Sequence, residues 1–157
     1  MTVFKLFASF FGKIFGGVVR INNLSMMPAC HPGEYFFYEK RLCCSRSYQI
    51  GDVVIIKSTH SKQWTIKRVI AIASDSVDII GQSIFVNKKS LSDDSNYMAN
   101  PDQLKRTWTV DSGELFVLGD NRRDSTDSRS YGAINIDLVE GRAWLRFWPL
   151  NRLGIRF

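Results

Sequence analysis

Short apolar runs with a period of two, spread over the chain after residue 20, are the feature that most constrains the fold. Runs such as "EYFFYEK", "DVVIIKS", "WTIKRVIAIA" and "RAWLRFW" are rich in β-branched and aromatic residues and are separated by Pro-Gly, Gly-Asp and Ser-Gly turn signals. A chain of 157 residues with 45% hydrophobic content is about one domain with a real core. The pattern therefore predicts a mostly antiparallel β domain over residues 21–157.

Residues 1–20, "MTVFKLFASFFGKIFGGVVR", have a different period. Polar or small residues recur every three or four positions, so on a helix they would form one stripe opposite a phenylalanine-rich face. A spanning helix needs roughly 20 mainly apolar residues, and Lys13 near the middle would be costly. We predict a membrane-anchoring or interfacial amphipathic helix over 1–20. A short tilted span and a helix packed on its own domain remain alternatives.

Two separate segments contain groups able to exchange a proton. Ser25 lies in "NNLSMMPACHPGEYFFY", and the two histidines of the chain, His31 and His60, have no obvious orienting carboxylate nearby in sequence. Lys67 lies inside the apolar run "TIKRVIA". Burial there would favour the neutral amine, which can act as a base. The alternative is a lysine of an edge strand whose amine reaches solvent.

The composition gives little support for a metal site, a disulfide framework or nucleic-acid binding. Cys30, Cys43 and Cys44 lack the spacing of a zinc site or of a disulfide framework. The loop "LGDNRRDSTDSRSYG", residues 118–132, is dense in polar groups but does not match a calcium loop, and its composition alone indicates a surface turn. A net charge of +6 is compatible with nucleic acid, with an anionic membrane or with simple solubility. We expect neither a metal nor another cofactor.

Three motifs in order, "SMMP" at 25–28, "KRVI" at 67–70 and "GDNRRDSTDSRSYG" at 119–132, resemble the type I signal peptidase family of membrane-bound serine proteases. "IGDVVIIK", "GELFVLGDN" and "GRAWLRFWPLNRLG" are also similar to that family, so the resemblance runs from about residue 23 to 154. It implies a signal-peptidase-like fold of several short antiparallel sheets. One departure is "AIASD" at 71–75, where the family usually has a Gly-x-Pro-Gly-Asp turn.

The resemblance also implies residue roles. Ser25 would be the nucleophile and Lys67 its general base, a serine–lysine variant of the catalytic triad. Ser125 would orient the lysine amine. Asn23, two positions before the nucleophile, would face the same side as Ser25 in an extended segment and supply an oxyanion donor. The rest of the loop would support the site, with Asp127 and Arg129 paired and with contributions from Asp120, Asn121, Arg122 and Ser128.

The implied substrates are preproteins with signal peptides, cut after an Ala-x-Ala-like site beside a lipid bilayer. The catalytic domain would lie on the exocytoplasmic side, and no nucleic acid is expected as a partner. A dedicated maturation protease for one or a few secreted proteins is an alternative. A self-cleaving repressor lacks support because no helix-turn-helix pattern precedes the domain. A membrane-tethered, non-catalytic β binding module is another alternative, but it would not explain the presence of the three ordered motifs.

Overall fold

The computed structural model describes residues 16–40, 47–57, 64–81, 83–91 and 105–154. Strands dominate these residues, which confirms the prediction of a mostly β chain. The elements are β1 (Gly17–Arg20), β2 (Tyr35–Lys40), β3 (Val53–Lys57), β4 (Trp64–Ala71), β5 (Ser76–Ile80), β6 (Ser83–Val86), β7 (Lys89–Ser90), β8 (Lys105–Thr109), β9 (Glu114–Leu118), α1 (Ser128–Tyr131), β10 (Ile134–Asn135) and β11 (Val139–Trp148), with 3-10 turns at Ile136–Leu138 and Leu150–Arg152.

The strands form two antiparallel sheets. The larger sheet has seven strands in the order β1-β2-β11-β3-β4-β9-β10, and the smaller has four in the order β7-β6-β5-β8. A turn between β4 and β5 joins the two sheets. In that turn the Asp75 carboxylate accepts a hydrogen bond from the Ile72 N–H at 2.9 Å, and Ser74 has a positive φ of 75°. The sequence "AIASD" therefore closes the turn without the glycine and proline that are usual in the family.

The core consists of three clusters of buried apolar side chains. One cluster contains Met26 and Cys30 from the segment around Ser25, packed with Phe36 of β2, Ile55 of β3 and Ile66 of β4. Met26 and Cys30 are fully buried. Burying an apolar side chain of that size contributes roughly 1.5–3 kcal/mol. Core packing thus fixes the chain on the C-terminal side of Ser25.

The predicted helix over residues 1–20 is wrong for its last four residues. Gly17–Arg20 form β1, which pairs with β2 in the register Val18↔Phe37 and Val19↔Phe36. Two adjacent β-branched valines opposite aromatic residues favour a strand over a helix. Residues 1–15, which hold the rest of the predicted helix, lie outside the described residues.

Across the five described ranges, no helix has both the length and the apolar character needed to cross a bilayer.

Candidate active site

Lys67 lies on a central strand of the larger sheet. Strand β4 is hydrogen-bonded to β3 on one side, where Lys67 is opposite Val54, and to β9 on the other. The residue is only 3% exposed. The alternative of an edge-strand lysine reaching solvent is therefore wrong.

The Lys67 amine contacts Ser25 and no carboxylate. Its Nζ donates a hydrogen bond to Ser25 Oγ at 3.1 Å, and within the described part of the chain it has no other hydrogen bond and no ion pair. Burial lowers the pKa of Lys67, because desolvation penalises the charged form; Arg129 acts in the same direction, and Asp127 opposes it. The amine is therefore biased towards the neutral form.

Ser25 lies in a tight turn and is itself 5% exposed. Its Oγ donates a hydrogen bond to Asn23 Oδ1 at 3.0 Å. The two side chains do meet, but residues 23–29 form bends and turns, so the extended geometry assumed for this contact is wrong. Of the two histidines, His31 has its Nε2 3.0 Å from the carbonyl oxygen of Pro28. His60 is outside the described residues.

Asp127 organises the loop that follows β9. Its carboxylate accepts hydrogen bonds from the Gly119 N–H at 3.0 Å and from Arg129 Nε at 2.8 Å, and it caps the N-terminus of α1. Burial alone would raise the pKa of Asp127, but the hydrogen bonds from Arg129 and Gly119 outweigh burial and lower it. The structure thus contains the predicted pairing of Asp127 with Arg129.

The remaining loop residues support the site through hydrogen bonds and an ion pair. Asp120 forms a two-pronged ion pair with Arg68, at 2.9 and 2.6 Å. The Asn121 N–H donates to Ser25 O at 3.0 Å, which ties the loop directly to the Ser25 turn. Ser128 Oγ accepts from the Val117 N–H at 3.0 Å. Each of these contacts joins two segments that are distant in sequence.

Arg68 is a supporting residue that sequence reasoning missed. The available signal was its position next to Lys67, since neighbouring strand residues point to opposite faces and an arginine on the second face needs a carboxylate. The side chain of Arg122, which was predicted to support the site, has a buried guanidinium nitrogen without a hydrogen bond among the described residues. Burial lowers the pKa of Arg122.

The predicted hydrogen bond between Ser125 and Lys67 is not formed. Ser125 Oγ is buried and lies close enough to Asp127 to help lower the pKa of that carboxylate, but it makes no well-aligned hydrogen bond among the described residues. It packs against Gly119, where a Cβ atom would lie 2.2 Å from Ser125 Oγ and 2.5 Å from Ser25 O. Only glycine fits between the two serines at this separation. Gly119 is thus a second site residue that the sequence analysis missed, although it opens the quoted motif.

The described residues contain no group of three or more His, Cys, Asp or Glu side chains able to hold a metal ion. Cys30 is buried as a free thiol, and burial raises its pKa to about 12, so the thiolate is strongly disfavoured. Cys43 and Cys44 lie outside the described residues. The hydroxyl that contacts the Lys67 amine is that of Ser25.

A serine hydroxyl in contact with a buried lysine amine, carried on a mostly β scaffold, is the arrangement typical of serine–lysine hydrolases. The family described as "Signal peptidase, peptidase S26" matches residues 1–148. The chain belongs to this signal peptidase family.

Curated relatives span bacteria and organelles. A probable signal peptidase I-2 from Synechocystis is 32% identical over 142 residues, which cover 86% of this chain and 64% of that protein. The chain thus spans somewhat less than two thirds of that relative. The signal peptidase I of Leptolyngbya laminosa is also 32% identical, with coverage of 85% and 70%. The human mitochondrial inner membrane protease subunit 1 is 32% identical, with coverage of 88% and 74%.

Proposed function

We propose that the protein is an endopeptidase that removes signal peptides from translocated preproteins, with Ser25 as nucleophile and Lys67 as general base. The observation that carries this proposal is the 3.1 Å hydrogen bond between Lys67 Nζ and Ser25 Oγ, inside a site where burial lowers the lysine pKa. That distance is within the reach required for direct proton transfer. Membership of the signal peptidase family supports the same reaction.

The steps follow from the positions of the two groups. The neutral Lys67 amine takes the hydroxyl proton as Ser25 Oγ attacks the scissile carbonyl, which forms a C–O bond and an oxyanion. The resulting ammonium then gives the proton to the leaving amine as the C–N bond breaks, leaving an acyl-enzyme on Ser25. The lysine, neutral again, activates a water molecule that hydrolyses the ester and returns the serine hydroxyl.

The oxyanion needs donors about 2.7–3.1 Å away, and we assign them to the Ser25 N–H and the Asn23 side chain. Asn23 is solvent-exposed and already lies within hydrogen-bond distance of Ser25 Oγ. Its oxygen faces the hydroxyl in the free protein, and rotation of the amide would present its NH₂ group instead. We keep Ser125 as the residue that orients Lys67, because its buried hydroxyl lies beside Gly119 and the Ser25 turn and has no well-aligned hydrogen bond among the described residues.

The proposed substrates carry an Ala-x-Ala-like site and are cut at a membrane, with the catalytic domain on the exocytoplasmic side and the residues before β1 contributing the anchor. The basic N-terminal sequence "FKLFASFFGKIF" is suited to an anionic lipid surface. A dedicated maturation protease would share the site and differ only in how many preproteins it accepts.

A cleavage assay tests the proposal. A preprotein with alanine at the two small-residue positions is incubated with the full-length chain in lipid vesicles, and the new N-terminus is read by mass spectrometry. We expect one cut after the second alanine, abolished by Ser25→Ala and by a bulky residue at either alanine. An intact preprotein would favour a non-catalytic binding module, and a cut that survives Ser25→Ala would reject the assigned nucleophile. Secreted N-termini from cells with and without the enzyme then separate a general from a dedicated protease.

A further inference from the structure

A second buried charged group lies below the Ser25 turn, at a place that the proposed reaction does not use. Glu34 is only 2% exposed and ends the segment that carries Ser25 from β1 to β2. Its carboxylate forms ion pairs with Arg146 of β11 at 3.3 Å and with Arg152 at 2.8 Å. We call these three residues, Glu34, Arg146 and Arg152, the Glu34 cluster.

The Glu34 cluster binds the backbone of the segment that contains Ser25. Glu34 Oε2 accepts a hydrogen bond from the His31 N–H at 3.0 Å, and Arg146 Nη1 donates to Ala29 O at 3.0 Å. The two ends of the segment are joined by backbone hydrogen bonds between Ile21 and Glu34 at 2.9 Å and between Gly33 and Ile21 at 2.8 Å. The cluster therefore holds the residues that follow Ser25 against the larger sheet.

Ser25 has a second attachment, to the loop after β9, through the 3.0 Å hydrogen bond from the Asn121 N–H to Ser25 O. The backbone of Lys67 is held separately, by the pairing of β4 with β3 and β9. The Nζ–Oγ separation thus depends on where the turn sits between the Asn121 loop and the Glu34 cluster. A displacement of about 1 Å at a reacting group can cost about 10²-fold in rate.

We propose that the Glu34 cluster positions Ser25 for attack, with Arg146 as the residue on which this positioning depends. The inference rests on the proposed function of Ser25. The Arg146 guanidinium donates to three acceptors, which are Ala29 O, the Glu34 carboxylate and, from Nε at 2.6 Å, Arg152 O. A lysine has one nitrogen and cannot reproduce this planar set. Arg146 acts through the turn and does not touch the reacting atoms, so it is a positioning residue.

A comparable pair of charges, whose arginine lies on the same strand β11, provides the control. Arg142 of β11 pairs with Glu39 of β2, and both arginines are 8% exposed. The Arg142 guanidinium donates to Glu39 and Asp52, neither of which belongs to the Ser25 turn. Arg142→Met should therefore reproduce the loss of a buried pair on β11 without moving the nucleophile.

The experiment compares Arg146→Met with Arg142→Met in the full-length chain, at a temperature where both are folded. We expect Arg146→Met to lower kcat by about 10²-fold with KM changed less than about twofold. The pH at which activity rises as Lys67 loses its proton should not move, since Glu34 and Arg146 are not among the groups that shift the Lys67 pKa. Arg142→Met should keep the parental kcat. Equal kcat values for the two variants at a similar loss of stability would overturn the proposal.

Two further measurements separate positioning from stability and from the proposed function. Glu34→Gln combined with Arg146→Met removes a buried carboxylate that has lost one of its two arginines, so part of the stability should recover while kcat stays low, because Ala29 O still lacks its donor. Recovery of the parental kcat would contradict positioning.

Hydrogen exchange at the Asn121 amide can be measured whether or not the protein cleaves a substrate, so it tests positioning separately from the proposed function. It should be about tenfold faster in Arg146→Met than in Arg142→Met, and equal rates would count against the inference even if the parental protein cleaves nothing.

Discussion

Two buried cations in the larger sheet, Lys67 of β4 and Arg146 of β11, are treated in opposite ways. Arg146 has a carboxylate partner in Glu34 and donates to backbone carbonyls, so its charge is compensated. Lys67 is buried more deeply, and its one hydrogen bond among the described residues goes to the Ser25 hydroxyl. The fold therefore compensates the charge of Arg146 and leaves Lys67 without a carboxylate partner among the described residues, where the proposed reaction needs the neutral amine.

The difference lies in the free energy of the charged state. A carboxylate beside Lys67 would favour the ammonium, which cannot accept a proton, whereas burial alone favours the amine. Asp127 is the carboxylate that raises the pKa of Lys67. Its oxygens already accept hydrogen bonds from Arg129 and from the Gly119 N–H. The pairing inside the loop thus protects the unpaired lysine from a competing partner.

Removing the unpaired cation should have the largest effect. Lys67→Ala and Ser25→Ala should each reduce kcat by about 10⁴-fold or more, and the double variant should be little worse, because both residues act in one proton transfer. Lys67→Arg should not rescue activity, since a guanidinium stays protonated. Single-turnover cleavage of a synthetic preprotein peptide measures this. Substantial cleavage by Lys67→Ala would point to another base, such as His31.

The next effect concerns the acceptor of the Ser25 hydroxyl. Asn23→Ala should lower kcat by about 10²–10³-fold with little change in KM if the amide donates to the oxyanion. Asn23→Asp keeps an oxygen facing Ser25 Oγ but adds a negative charge beside the developing anion, so it should be slower than Asn23→Ala. Steady-state kinetics on the same peptide decide the order. If Asp exceeds Ala, Asn23 acts by orienting the hydroxyl instead.

Breaking a compensated pair should affect stability and spare activity. Arg142→Met leaves the carboxylates of Glu39 and Asp52 without their arginine. We expect the free energy of unfolding to fall by about 2–3 kcal/mol, less than for a fully buried pair because Glu39 is partly exposed. Urea denaturation measures this change. A loss of kcat in the folded variant would show that the two kinds of buried cation are not separable.

The smallest effect should be a gain in stability. Lys67→Met replaces a buried amine by an apolar group, and we expect about 1–2 kcal/mol of stabilisation at neutral pH. The folded-state pKa of Lys67 is lowered, so the parent becomes more stable as pH rises from that pKa towards the unfolded value of about 10.4. The advantage of Lys67→Met should shrink over the same interval. Thermal unfolding at several pH values tests this, and an advantage that grows with pH would contradict a lowered pKa.

The strands and the proximity of Ser25 to Lys67 could be anticipated because they depend on local period and on a resemblance that spans most of the chain. Residues 17–20 were mispredicted because Val18 fits the apolar face and Arg20 the polar stripe of a helix, and only pairing with β2 selects the strand. Arg68 and Gly119 were not predicted as site residues for a different reason. Their roles arise from contacts with Asp120 and with Ser125 and Ser25, which no local pattern encodes.

Direct titration of the Lys67 amine tests the central claim, that an uncompensated and buried lysine serves Ser25 as a neutral base. The amine, labelled with ¹⁵N and ¹³C, is followed by NMR in the full-length protein, and kcat/KM for peptide cleavage is measured over the same pH range. The account predicts one shared value, below the usual lysine pKa of about 10.4, at which the amine deprotonates and activity rises. An amine that titrates near its usual pKa while activity is already at its plateau would contradict it.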